Sequence, residues 1–286
     1  MSQVRVVTDS GADLAPDVVA PMEITVVPLV VRFGEETYLD GQLTLDQFWQ
    51  KVKEGHLPGT SQPSIGAFEL AYSRLVEAGH SVLCLTLTGK HSGTYSGACA
   101  AARRFGDKVR VLDSLSLSLG QGFQVLAAAR AALAGLSLDE VADLVERVRE
   151  RTRLFILLDT IEFIRRGGRA NVLLPTLSRI TKVLRIKPIL TLPDGHLSVH
   201  SLARSYGRGL EQIKEEILRL RPIEGMAVIH ARCLDAAHKM ASDLSERLGF
   251  PRDKIIFVET GPLLSTHSGP GVIGVAAVQQ GRGEPA

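Results

Sequence analysis

Short β-branched runs alternate with longer segments of helical period, and no other feature of the chain constrains its fold as much. The runs "VRVVTD", "SVLCLTL", "VRVLD" and "LFILLD" have the length and apolar continuity of strands buried on both faces. Residues 65–79, 94–105 and 138–152 carry apolar side chains at helical spacing between them. Strands covered on both faces require helices on both, so the pattern predicts a parallel sheet in a three-layer α/β/α domain. Thr44 with Gln47 and Ser137 with Glu140 have capping-box spacing and mark two helix starts.

After about residue 153 the rhythm changes. "IKPILTL", "PDG" and "HLSVHSLA" read as two strands joined by a tight turn, an antiparallel hairpin rather than a crossover. Helical patterns near 205–220 and 234–248 precede the strands "MAVIH" and "KIIFVET". The expected organisation is a first α/β domain over 1–153 and a mixed-sheet α/β domain over 154–286, with "QGRGEPA" as a loose tail.

Composition narrows the class. With 45% apolar and 22% charged residues, the 286-residue chain fits an ordinary soluble globular protein. A net charge of +2 gives no general drive toward nucleic acid. Cys84, Cys99 and Cys233 form no CxxC pair, and Cys84 lies in an apolar run, so a reducing cytoplasm is expected. The N-terminus lacks a signal peptide's apolar region, and no run approaches the roughly 20 apolar residues of a membrane span, so stable membrane insertion is not expected.

Four stretches rich in glycine and hydroxyls border predicted strand or helix ends: "GTSQPS" at 59–64, "TGKHSGTYSGA" at 88–98, "RRGGRA" at 165–170 and "GPLLSTHSGPGVIG" at 261–274. Free backbone N–H groups and hydroxyls at such ends receive anions, although Ser92 and Thr94 equally suit helix capping. "GKHSG" reads G-x-x-S-G rather than the G-x-S-x-G of a nucleophile elbow, which counts against Ser92 as a nucleophile. "GPGVIG" matches G-x-G-x-x-G, but too little chain follows it for a dinucleotide fold. Its glycines instead suit a tight turn presenting His267 and Ser268 before a last strand. The histidines show no metal-ligand spacing.

Residues 163–193 contain no acidic side chain, and seven arginines and lysines alternate there with leucines and isoleucines. Arg169 beside two glycines suits an acid or phosphate group, while the apolar residues suit a cavity wall or a partner surface; a solvated basic face is the alternative. No aromatic beyond Phe163 interleaves with the arginines, so the stacking platforms of nucleic-acid binding are missing.

In order, "VTDSGADL", "YLDG", "TSQPS", "HSGTYSGA", "LDS", "IRRGGRA", "IKPIL" and "GP…HSGPG" resemble the DegV family from Thr8 to about Gly274. The resemblance implies two α/β domains with a long-chain fatty acid held at their junction, and no cofactor or metal. It further implies a lipid-binding subunit of a bacterial fatty acid kinase, which offers the acid to a separate ATP-dependent kinase subunit that makes acyl phosphate for phospholipid synthesis. Carried over by motif, the carboxylate contacts fall on Thr60, Ser61, Ser92, Arg169 and His267, and Arg204 takes the place of a basic residue tied to kinase docking or phosphotransfer. Thr88-Gly89 and His91 depart from the Ser-Ser pattern of many relatives. Two other classes stay open: a serine-dependent esterase or acyltransferase using Ser92, and an enzyme for a small phosphorylated substrate, as the distantly similar fold of dihydroxyacetone kinase suggests.

Overall fold

The computed structural model describes residues 3–167 and 186–281. The chain divides into two compact units, Met1–Glu150 with Gly261–Leu263, and Arg151–Thr260 with Leu264–Ala286.

The first unit contains β1 (Val4–Asp9), β2 (Thr25–Val27), β3 (Val30–Phe33), β4 (Glu36–Leu39), β5 (Pro58–Ser61), β6 (Ser81–Thr86) and β7 (Val109–Asp113). Four of these form a parallel sheet in the order β2-β1-β6-β7. Because strand side chains alternate, Val7, Val82, Cys84 and Val109 face one way, onto the helices Ile65–Glu77 and Thr94–Ala102. Thr8 faces the other way, toward the helix Ser118–Leu133, where Gln121 Nε2 donates to its hydroxyl at 3.0 Å. The predicted three layers follow from this alternation. Both expected capping boxes form: Thr44 with Gln47, and Ser137 with Glu140.

The second unit contains β8 (Thr152–Leu157), β9 (Lys187–Thr191), β10 (Ser198–Ala203), β11 (Ile223–Ala231), β12 (Ile255–Glu259) and β13 (Val272–Gln279). Among the described residues they form one mixed sheet, β10-β9-β8-β13-β11-β12, in which only β11 and β12 run parallel. The helices Tyr206–Leu218 and Leu234–Leu248 cover one face, burying Ile213, Ile217, Met240 and Leu244 against Val228, Val275 and Ile273. The predicted hairpin is β9 and β10, turned at Pro193–Gly195.

Three readings change. "LFILLD" supplies β8, antiparallel to both neighbours, instead of a strand of the parallel sheet; a continuous apolar run reports burial on two faces, not strand direction. The stretch around His267 is not a loop: Pro262–Ser268 is a short helix, and the turn comes after it, at Gly269 and Gly271, whose φ values are +74° and +78°. The first unit also holds a small antiparallel sheet, β4-β3-β5, which the strand patterns did not announce.

Candidate functional site

In the parallel sheet the chain leaves β1 toward β2 on one side and later adds β6 and β7 on the other, so the direction of winding reverses at the β1/β6 boundary. Loops leaving the carboxyl ends of two such strands diverge and open a crevice, the usual place for a ligand in an open α/β sheet. The segment after β1 carries "SGAD", and the loop after β6 carries Thr88 to Ser92.

Carboxylates at the ends of the flanking strands hold the β6 loop. Asp9, the last residue of β1, accepts the Leu87 N–H at 2.7 Å. Asp113, the last residue of β7, accepts the Gly89 N–H at 3.0 Å and the Leu115 N–H at 2.8 Å. Between them, the Thr88 N–H donates to the Ser116 carbonyl at 2.8 Å. Three consecutive amides, those of Leu87, Thr88 and Gly89, are thus anchored.

Ser92 follows directly, before the helix Thr94–Ala102. Its Oγ accepts the Thr94 N–H at 3.2 Å and lies 2.8 Å from Thr94 Oγ1, and Thr94 itself is wholly buried. A hydroxyl has two lone pairs and one proton. With Thr94 as donor in that pair, both Ser92 lone pairs are occupied and its proton is directed to a further acceptor, the arrangement a carboxylate needs. The same geometry does not suit a nucleophile elbow. Such a serine sits on a strained turn, whereas Ser92 is not among the residues of positive φ.

Thr60 and Ser61 close β5, opposite Val31 and Val30 of β3. Adjacent strand residues project to opposite faces, so a ligand over one face meets one hydroxyl and the backbone of the other residue. The next residue, Gln62, lies against Gly93, where any side chain at 93 would run into its amide. Within the first unit, the "TSQPS" and "HSGTY" stretches are therefore brought together.

In the second unit, half-buried His267 lies one residue from the end of its helix. Gly167, at the end of the helix Glu162–Arg166, packs so closely on the imidazole that a Cβ there would collide with the ring. Gly167 and the "THSGPG" stretch are thus neighbours. Arg169 lies outside the described residues. Ser265 is buried and donates to the Thr260 carbonyl at 3.1 Å, so its hydroxyl serves the helix start. Exposed Arg204 follows the edge strand β10, three strands from β13. At about 4.8 Å per strand that is about 14 Å across the sheet from the strand that follows His267.

Buried acidic residues also belong to the site. Burial pushes the Asp9 carboxyl up to about 7, against the pull of its amide donors from Leu87 and Gly11. Burial also raises Asp40, opposed by hydrogen bonds from the Ser10 hydroxyl and the Leu263 and Gly41 amides. Asp13, in the left-handed region at φ 51°, accepts the Ser118 hydroxyl at 2.6 Å and the Gly261 N–H at 3.2 Å. A signal was available: "TDS" and "LDS" each end a predicted strand with an aspartate followed by a serine. Cys84 is a buried free thiol whose pKa is raised by burial. Among the described residues no group of histidine, cysteine and carboxylate side chains is suited to a metal ion, and no helix is long and apolar enough to cross a membrane.

Comparison with known proteins agrees with this architecture. A DegV domain-containing protein of Deinococcus radiodurans is 34% identical over 279 residues, 96% of this chain and 97% of the relative. A solved DegV family protein from Thermus thermophilus, described by its fatty acid binding, is 31% identical and superposes with a TM-score of 0.89 over 97% of this chain and 100% of its own. DegV from Bacillus subtilis, described as a fatty acid binding protein, is 29% identical, with a TM-score of 0.84 over 98% of this chain and 100% of its own. The family model "Uncharacterised protein, DegV family" matches residues 3–280, nearly the whole chain. The chain belongs to the DegV family.

Proposed function

We propose that this chain binds a long-chain fatty acid, shields its tail, and presents its carboxylate to a separate ATP-dependent kinase subunit that forms acyl phosphate for phospholipid synthesis. The observation that carries the reading is the Ser92 hydroxyl, fixed by Thr94 and by an anchored loop at the switch point of the sheet. The Thermus thermophilus and Bacillus subtilis relatives, described by fatty acid binding, support the ligand class. On this reading the carboxylate takes hydrogen bonds from Thr60, Ser61 and Ser92, and positive charge from Arg169 and from His267 in its protonated form. Several donors are needed, because an ionised carboxylate buried without partners is prohibitively costly. Arg204 lies apart from the head group and serves the kinase partner. The tail contributes on the order of 0.8 kcal/mol per buried CH₂. The protein works in the cytoplasm as a presenting subunit, with no cofactor or metal and without a complete active site of its own.

The test is to purify the protein from bacteria, measure occupancy by native mass spectrometry, and identify any acyl chain released by organic solvent. Near-stoichiometric long-chain fatty acid is the expected result. Empty protein that also rejects added oleic acid would overturn the reading, and labelling of Ser92 by an active-site serine probe would replace it with the esterase.

A further inference from the structure

We propose that Asp9 is a positioning residue for the Ser92 loop, and that the charge on its carboxyl sets how firmly that loop is held. The carboxyl is wholly buried at the end of β1 and divides its two oxygens between two chain segments. Oδ1 accepts the Gly11 N–H at 2.8 Å, from the turn that follows β1. Oδ2 accepts the Leu87 N–H at 2.7 Å, from the first residue after β6. Ionised, the group accepts on both oxygens. Protonated, the group keeps lone pairs but loses its charge, so both amide bonds become weaker neutral ones, and the bond to the oxygen that carries the hydrogen weakens most. A weaker Leu87 bond loosens the first of the three amides anchored ahead of Ser92.

The groups that act on Asp9 come from every side. The Asp40 carboxyl approaches from the segment after β4, the Cys84 thiol from β6, and neutral Gln121 from the helix Ser118–Leu133. Asp40 and burial both favour the neutral form, and together with the opposing hydrogen bonds they leave Asp9 titrating at about 7. The loop is therefore held more firmly on the alkaline side of neutrality. That this modulates fatty acid retention rests on the proposed function; the hold of Asp9 on the loop does not.

Hydrogen exchange of the full-length, lipid-free protein between pH 6 and pH 8, corrected for intrinsic rates, tests the structural part. The protection factor of the Leu87 amide should rise about tenfold across this range, while that of Val111 in β7 stays constant. In Asp9→Asn, which cannot ionise, Leu87 protection should be independent of pH. Flat Leu87 protection in the wild-type protein, or a pH dependence that survives in Asp9→Asn, would overturn the proposal. Should the variant not fold, the wild-type titration decides alone: NMR of the Asp9 carboxyl carbon and of the Leu87 amide must give one common midpoint, and separate midpoints refute it. The dissociation rate of oleic acid, measured over the same pH range, should fall toward pH 8 in the wild type by more than in Asp9→Asn, and equal falls would remove the functional consequence. Failure of oleic acid to bind at any pH would overturn the fatty-acid reading, with hydrogen exchange still deciding the role of Asp9.

Discussion

Replacing Ser92 with alanine separates the hydroxyl's two tasks. Toward a carboxylate, Ser92 supplies one hydrogen bond to a charged acceptor, worth about 1.5–3 kcal/mol. At about 1.4 kcal/mol per decade, Ser92→Ala should weaken oleic acid binding by about 10- to 150-fold. Toward the protein, Ser92 Oγ accepts the N–H of Thr94 and pairs with its hydroxyl. Because Thr94 is wholly buried, the truncation should also cost stability, by about 1 kcal/mol. Competition against a fluorescent fatty acid measures the first effect, and urea unfolding of the lipid-free protein measures the second. Thr94→Val keeps the shape and leaves Ser92 in place but removes the partner that orients it. Its affinity loss should be smaller, about 2- to 12-fold, from one neutral hydrogen bond of about 0.5–1.5 kcal/mol. Affinity unchanged within twofold in Ser92→Ala, with the expected loss of stability, would show that the hydroxyl serves only the helix start and would refute the carboxylate assignment.

Gly167→Ala should push the His267 imidazole aside, destabilising the protein by about 1–3 kcal/mol and weakening oleic acid retention, whereas Gly207→Ala, with open space around it in a helix, should stabilise by about 0.5–1 kcal/mol in thermal unfolding. His230 is buried, its Nδ1 has no hydrogen-bond partner among the described residues, and burial lowers its pKa. Below pH 6.5 the unfolded chain therefore binds the proton in preference, so the His230 contribution to stability is full above that pH and declines as pH falls through the lowered folded value. Urea midpoints from pH 5 to 7.5 should show this slope, and His230→Gln should reduce it. Lys214, nearly buried, pairs with Glu211 and with Asp243 at 2.7 Å, and Lys214→Ala should lower the unfolding free energy by about 1–3 kcal/mol in urea titration.

What could be read from the sequence divides along physical lines. Strand β6 is legible because burial on both faces makes a continuous apolar run, β1 and β7 because their valines and leucines flank a single arginine, and the helix starts at Thr44 and Ser137 because a capping box needs two residue types at a fixed spacing. The small sheet is not legible. Its strands have at most four residues, and β4 reads "ETYL" with little of it buried, so no period distinguishes it from a loop. The helix before β13 did leave a mark: Pro262 opens it and Gly269, at φ +74°, stands just past its end, an asymmetry of helix termini that the surrounding glycines obscured.

The site divides in the same way. Serines and threonines beside glycines stand out because hydroxyls and free amides are what an anion needs at a strand end, so Thr60, Ser61 and Ser92 are visible in the string of residues. The groups that aim them are harder to see. Asp9 and Asp113 act at β6 from the strands on either side, and only the sheet order β1-β6-β7 puts their carboxyls beside the Leu87 and Gly89 amides. Sequence separations of 78 and 24 residues hide that relation. What remains visible is its local trace, an aspartate closing a buried strand and a serine after it, twice in one domain. A carboxylate at the end of a covered strand has lost water and must find N–H donors, and the donors nearest to hand are the unpaired amides where the neighbouring strand turns into its loop. An anchor for the loop that carries the binding hydroxyl is thus a direct consequence of burying an acidic residue at that place.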